Sequence, residues 1–183
     1  MKNRVHNLSK YVFNNNESFL LDTNIWLYLF PAPSRRSHLF EDEHCSAFKK
    51  MMECGVRLMM DVMVISEYLN AYCRIEKRAV PGSPSRQFKD FRNSGVSATA
   101  LHGATSNARR IMKMCSCHDH PFSQTDVTRI LEDFEAGKED FNDGLLAETC
   151  RIHHWKLVTN DSDFTEGGID ILTINPKLLD ACV

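Results

Sequence analysis

Apolar residues enter this chain in short bursts separated by polar turns, and the spacing inside each burst predicts an element. Residues 19–22, FLLD, are a brief apolar run closed by small polar residues, which predicts a buried strand. Between residues 38 and 53 the positions Phe48, Met51 and Met52 recur at helical spacing, and Gly55 supplies the stop. A second strand is predicted at 56–60, VRLMM. Asp61 then stands as N-cap of a helix whose stripe is Val62, Ile65, Leu69 and Tyr72. The breaker-rich residues 80–86, VPGSPSR, predict a loop. Beyond it Leu101, Ala104, Ala108, Ile111 and Met112 mark one face of a helix over 97–115. Further helices are predicted over 123–136, ended by Gly137, and over 140–153, with Leu145, Leu146, Thr149 and Ile152 inward. The second of these feeds the strand KLVTN at 156–160 and, past Gly167 and Gly168, the strand IDILTI at 169–174. Strands alternating with helices predict an α/β layered fold with a mainly parallel sheet. Internal repeats and low-complexity tracts are absent from the sequence.

Polar residues that interrupt this pattern supply the candidate chemistry. In a parallel sheet, ligands bind beyond the carboxyl ends of the strands, where loops gather side chains from distant parts of the chain. Asp22 closes the first strand, and Asp161 and Asp163 follow KLVTN, so all three can converge on one edge. Asp143 falls in the first turn of its helix. Glu67 falls in the second turn of the helix after strand two, two residues from Ile65 and so roughly opposite the buried stripe. Carboxylates brought together repel one another and raise each other's pKa unless a cation sits among them. Mg²⁺ and Mn²⁺ suit such oxygen donors and turn water into a nucleophile for phosphodiesters. Structural roles compete residue by residue: Asp61 and Asp140 suit helix caps, and Asp163 suits a turn. Asp22 has no such explanation, because a bare carboxylate at the end of a buried strand is costly.

Composition changes this picture little, but charge placement changes it more. The 183 residues, 43% hydrophobic, suit one folded domain. The first 17 residues lack the apolar core of a secretion signal, and no run of about 18 apolar residues occurs, so a cytoplasmic protein without a membrane segment is expected. Seven cysteines at irregular spacings are expected to be reduced and largely buried. Net charge is only −2, yet Arg74 to Lys113 holds nine bases against two acids, and Asp126 to Glu148 eight acids against two bases. A basic segment beside an acidic one fits a phosphate-binding surface around a cation site, and solvated helix faces account for the pattern equally well. Arg109, Arg110 and Lys113, within about one helical turn, are the candidate RNA-backbone clamp.

Four motifs in order, LLDTNIWL at 20–27, VISEYLNA at 64–71, DFNDGLLAETC at 140–150 and KLVTNDSDF at 156–164, resemble those of the PIN-domain ribonucleases, and among them the VapC-like toxins of toxin–antitoxin pairs. The resemblance runs from residue 18 to about 175. It implies a three-layer α/β/α sandwich that cleaves single-stranded or structured RNA with Mg²⁺ or Mn²⁺. Asp22, Glu67, Asp143 and Asp161 look like the acidic quartet of the family, Asp163 like a substitute for Asp161, and Thr23 and Asn24 like the residues that hold the first Asp. Candidate partners are the RNA substrate, an antitoxin protein and a second copy of the chain. Compared with the toxins, this chain has an N-terminal extension at 1–17 before a single domain at 18–183, and an enlarged basic helical region at about 74–125.

Other chemistries have weaker support. Cys115, Cys117, His118 and His120 offer zinc ligands, with His153 and His154 as recruits, but Cys-x-Cys is tighter than the usual pair, and a helix end with buried Cys is the plainer expectation. Nothing marks one cysteine as an activated nucleophile. The sequence has no glycine-rich phosphate loop, and DTN lacks the second Asp of a DxD motif. The rival from another class is a non-catalytic module that keeps the fold and holds RNA or protein on its basic segment.

Overall fold

The computed structural model describes residues 1–37, 39–80, 87–95 and 97–182, so the loop predicted at 80–86 lies outside the described residues save for Val80. In chain order the elements are β1 (Arg4–Asn7), β2 (Ser18–Leu21), α1 (Thr23–Leu29), α2 (Glu41–Cys54), β3 (Arg57–Asp61), α3 (Val62–Ala79), α4 (Phe88–Arg92), α5 (Ser97–Met114), β4 (Ser116–His118), α6 (Val127–Glu135), α7 (Phe141–His153), β5 (Lys156–Val158), β6 (Asp170–Thr173) and α8 (Pro176–Ala181). The six strands form one sheet in the order β1-β6-β5-β2-β3-β4, every neighbouring pair parallel. Helices cover the sheet in an α/β/α sandwich, the architecture expected from the alternation of elements. Because the sheet is covered on both faces, its central strand is apolar past Ser18: Phe19, Leu20 and Leu21 are all buried.

Strand order matters for function. From β2 the chain steps to β3 and then β4 on one side, whereas β5 and β6 lie on the other. The carboxyl ends of β2 and β5 therefore flank a topological switch point, where the two sets of loops part and leave a crevice.

Several elements depart from the predicted pattern. The run after Asp22 is the helix α1, with Ile25, Trp26 and Tyr28 buried, and its dense apolar residues hide the 3.6-residue period. The helix predicted from residue 38 starts at Glu41, where three acids occupy the first turn and favour the N-terminal dipole, and Gly55 ends it in the left-handed conformation as predicted. On α5 Ile111 is buried, but Met112 points to solvent. The helix predicted over 123–136 is a 3₁₀ turn, Phe122–Gln124, followed by α6, because Asp126 caps the Arg129 N–H and restarts the helix. Cys115 to His120 is an edge strand with its flanks rather than a helix end. All seven cysteines are free thiols, and only Cys73 and Cys150 are buried, so the expectation of largely buried thiols fails.

The N-terminal segment belongs to the sheet. β1 pairs with β6, and the buried Asn3 side chain donates to the carbonyls of Phe164 (3.1 Å) and Glu166 (2.8 Å) while accepting from Ile169 N–H (3.0 Å). Its polar atoms thus replace water along the loop entering β6. Among the described residues no helix is long and apolar enough to cross a membrane.

Candidate active site

Asp22 stands where β2 gives way to α1. Its backbone is extended and its side chain does not cap the helix, which leaves the carboxylate available at the switch point. Oδ2 accepts from Thr159 Oγ1 (2.7 Å) and from Asn24 Nδ2 (2.5 Å). The same Thr159 hydroxyl oxygen accepts from Asn24 Nδ2 (3.1 Å) and from the Asp161 N–H (3.0 Å). Thr159, fully buried just past β5, therefore ties Asp22 to the backbone that presents Asp161. Sequence reasoning missed it, because a threonine at a strand end reads as a β-former; the one available signal was a hydroxyl two residues before a candidate ligand.

Asn24 thus bonds the Asp22 carboxylate directly. Thr23 acts differently: its hydroxyl donates to Glu67 Oε2 (3.0 Å) on α3, and only its backbone N–H serves Asp22. Asp143 lies half-buried in the first turn of α7, whose N-cap is Asp140, accepting from Asn142 N–H (2.9 Å). Asp163 is exposed; its N–H donates to Asp161 Oδ1 (3.0 Å), and it borders a cavity of about 710 Å³ that also contains Arg129, Glu139, Glu148 and Arg151.

Electrostatics couple the four carboxylates. Burial raises the pKa of Asp22 to about 6, and the charges of Glu67 and Asp161 push the same way against the Thr159 hydrogen bond. Asp143 is pushed up to about 8, by burial first and then by Asp22, Asp161, Asp140 and Glu67. Among the described residues, none of Asp22, Glu67, Asp143 and Asp161 has an ion-pair partner. Nor, among them, does any group of three His, Cys, Asp or Glu side chains stand in a metal-holding arrangement. An all-carboxylate set with two members resisting ionisation nevertheless fits a hard divalent cation, whose charge would offset both desolvation and repulsion.

The remaining candidates lie elsewhere. Asp61 is buried, caps α3 through the Met63 N–H (2.7 Å) and accepts from His120 Nδ1 (2.8 Å), a structural role. His118 packs on Trp155 (5.1 Å between ring centroids) and on His153 (6.0 Å), while Cys117 is exposed, so the zinc candidates diverge along β4 instead of converging. Arg109, Arg110 and Lys113 share a groove of about 240 Å³ on α5 with His102, Thr105 and Ser106, and the Arg110 guanidinium lies 4.9 Å above the Phe30 ring.

A family model described as PIN domain matches residues 19–169. Among solved structures, VapBC2 of Rickettsia felis bound to a DNA fragment from its promoter is similar to this chain at a TM-score of 0.54 and 14% identity, covering 85% of this chain and 98% of that one. PAE2754 of Pyrobaculum aerophilum is similar at 0.49 and 16% identity, covering 90% and 95%. FitAcB of Neisseria gonorrhoeae is similar at 0.45 and 16% identity, covering 84% and 96%. No curated protein matches.

Proposed function

The chain belongs to the PIN domain family, and from that premise we propose that it is an endoribonuclease dependent on Mg²⁺ or Mn²⁺, with Asp22, Glu67, Asp143 and Asp161 as the residues that hold the ion. What supports the reading is that Asp22 stands at the end of β2 at the switch point, that the charges of Glu67, Asp143 and Asp161 act on it or on one another, that none of the four has an ion-pair partner among the described residues, and that two of them have strongly raised pKa values. When bound, a divalent ion there supplies an activated water and offsets charge on the phosphate. The chain's own residues prepare the site. Thr159 and Asn24 fix the Asp22 carboxylate, Thr23 fixes that of Glu67, and the Asp140 cap starts α7 so that Asp143 falls in its first turn. Arg109, Arg110 and Lys113 would hold the RNA backbone. The motif resemblance adds a biological role as the toxin of a toxin–antitoxin pair, with an antitoxin protein and a second copy of this chain as partners.

The raised pKa values supply a direct test. A carboxyl group whose folded pKa exceeds its unfolded value keeps more protons in the native state, so the metal-free protein loses stability as pH rises from about 4 through about 8. A divalent ion needs the ionised form and must displace those protons. Melting temperature is therefore expected to fall across that window without metal. Mg²⁺ or Mn²⁺ should raise it far more at pH 8.5 than at pH 5.5, with proton release measurable by calorimetry in two buffers. Equal stabilisation at both pH values, or none, contradicts the assignment.

A further inference from the structure

β5 and β6 are parallel neighbours, and parallel neighbours are ordinarily joined through a helix. Residues 159–169 join them without one. Such a loop has no helical hydrogen bonds to set its path, so its backbone groups depend on partners from elsewhere in the fold. Asp161 and Asp163 both lie on it. Its near end is held by Thr159, whose hydroxyl oxygen accepts the Asp161 N–H.

Its far end is held by a residue that lies before the span 19–169 matched by the family model. That residue is Asn3. Its N–H donates to the Thr165 carbonyl (3.2 Å), its carboxamide donates to the carbonyls of Phe164 and Glu166, and Oδ1 accepts the Ile169 N–H. Asn3 is 2% exposed, so a bond lost here strands a loop group away from water. Gly167 lets the loop close on it: its φ is +130°, and a Cβ there would stand 3.3 Å from Asn3 Oδ1. From Asn3 the bonds lead on to the site. Thr165, whose carbonyl takes the Asn3 N–H, donates its own N–H to the Asp163 carbonyl (2.8 Å), and the Asp163 N–H donates to Asp161 Oδ1 (3.0 Å). Unbroken hydrogen bonding thus runs from Asn3 to the Asp161 carboxylate.

We propose that Asn3 is a positioning residue for Asp161, holding the far end of the 159–169 loop so that the turn at 161–165 keeps the Asp161 carboxylate in place. This rests on the nuclease reading above, in which Asp161 holds the ion. The test is a double-mutant cycle read as Mn²⁺ affinity by calorimetry. Asn3→Ala is expected to weaken Mn²⁺ binding about tenfold or more, as loss of a group that orients a metal ligand does. In an Asp161→Asn background the same change should leave the remaining affinity nearly unaltered. Val5→Ala is the control, because Val5 pairs with Ile171 and packs on the core without touching the loop. It should lower the melting temperature and keep Mn²⁺ affinity. Amide hydrogen exchange at Asp163 and Thr165 should quicken in Asn3→Ala and not in Val5→Ala. Should Asn3→Ala fail to fold, the wild type decides: in mild denaturant the amides of Asp163, Thr165 and Ile169 should lose protection in the same opening as that of Arg4, which donates to the Ile169 carbonyl. Equal loss of affinity with and without Asp161, unchanged exchange at Asp163 and Thr165, or a loop that opens independently of β1 overturns the assignment. A wild type that binds neither Mn²⁺ nor Mg²⁺ overturns the nuclease reading instead, and the exchange rates still decide for or against Asn3.

Discussion

Asp143→Asn is expected to lower RNA cleavage by about 10²-fold or more while raising the melting temperature of the metal-free protein. The activity loss follows from removing one preorganised charge, and such single groups are worth about 10²–10³ in rate. The gain in stability follows from the same electrostatics with opposite sign. Asp143 is half-buried, and its pKa is pushed to about 8 by burial and by Asp22, Asp161, Asp140 and Glu67. Without a cation its ionised form is a burden on the fold, and an amide of nearly the same shape removes that burden. Asp140 serves as the control because its side chain caps α7. Asp140→Ala should cost about 1 kcal/mol of stability and leave most of the activity in place. Equal loss of activity in the two variants, with unchanged melting in both, would mean that their roles are misassigned.

The second large effect concerns α5. Changing Arg109, Arg110 and Lys113 together to Gln is expected to weaken RNA binding and flatten its salt dependence by up to about 0.7 per phosphate contact on a log–log plot, or about 2 for the set. The affinity for Mg²⁺ or Mn²⁺ should not change, since these residues line a groove on α5 and, among the described residues, form no ion pair with the four carboxylates. The three side chains are exposed, so the substitution should cost little stability. An unaltered salt slope would identify this stripe as a solvated helix face.

Most of the architecture was legible in the sequence because a covered parallel sheet writes its strands as continuous apolar runs, as FLL and LMM do here. Caps were legible for a similar reason: Asp61, Asp126, Asp140 and Gly55 act through local geometry that needs only neighbours in sequence. Only one of these, Asp126, was overlooked, and its cap splits the predicted helix over 123–136. The missed elements depend on distant contacts. β1 has no apolar run of its own and is defined by pairing with β6, more than 160 residues away, with Asn3 satisfied entirely by residues 164–169. β4 is a three-residue edge strand whose side chains are all exposed, so its sequence carries no burial signal.

The candidate site divides in the same way. Asp22, Glu67, Asp143 and Asp161 were legible as carboxylates at strand ends and helix starts, positions that follow from chain order. Their support was not. Thr159 joins Asp22 to the Asp161 backbone across 137 residues, and Thr23 turns its hydroxyl to Glu67 rather than to the adjacent Asp22. Such choices are made by packing between α1, α3 and the turn after β5, which no local pattern encodes.

Hydrolysis by a metal-dependent water is the central claim, and the ends of the cleaved RNA report it most directly. The four carboxylates offer no pair of imidazoles to relay a proton to and from a ribose hydroxyl, so the nucleophile is expected to be water rather than the 2′-hydroxyl. A single-stranded RNA incubated with purified protein should yield fragments carrying 5′-phosphate and 3′-hydroxyl ends in Mg²⁺ or Mn²⁺, and no cleavage in EDTA until the metal is restored. Fragments with 2′,3′-cyclic phosphate ends, or full activity in EDTA, would contradict it.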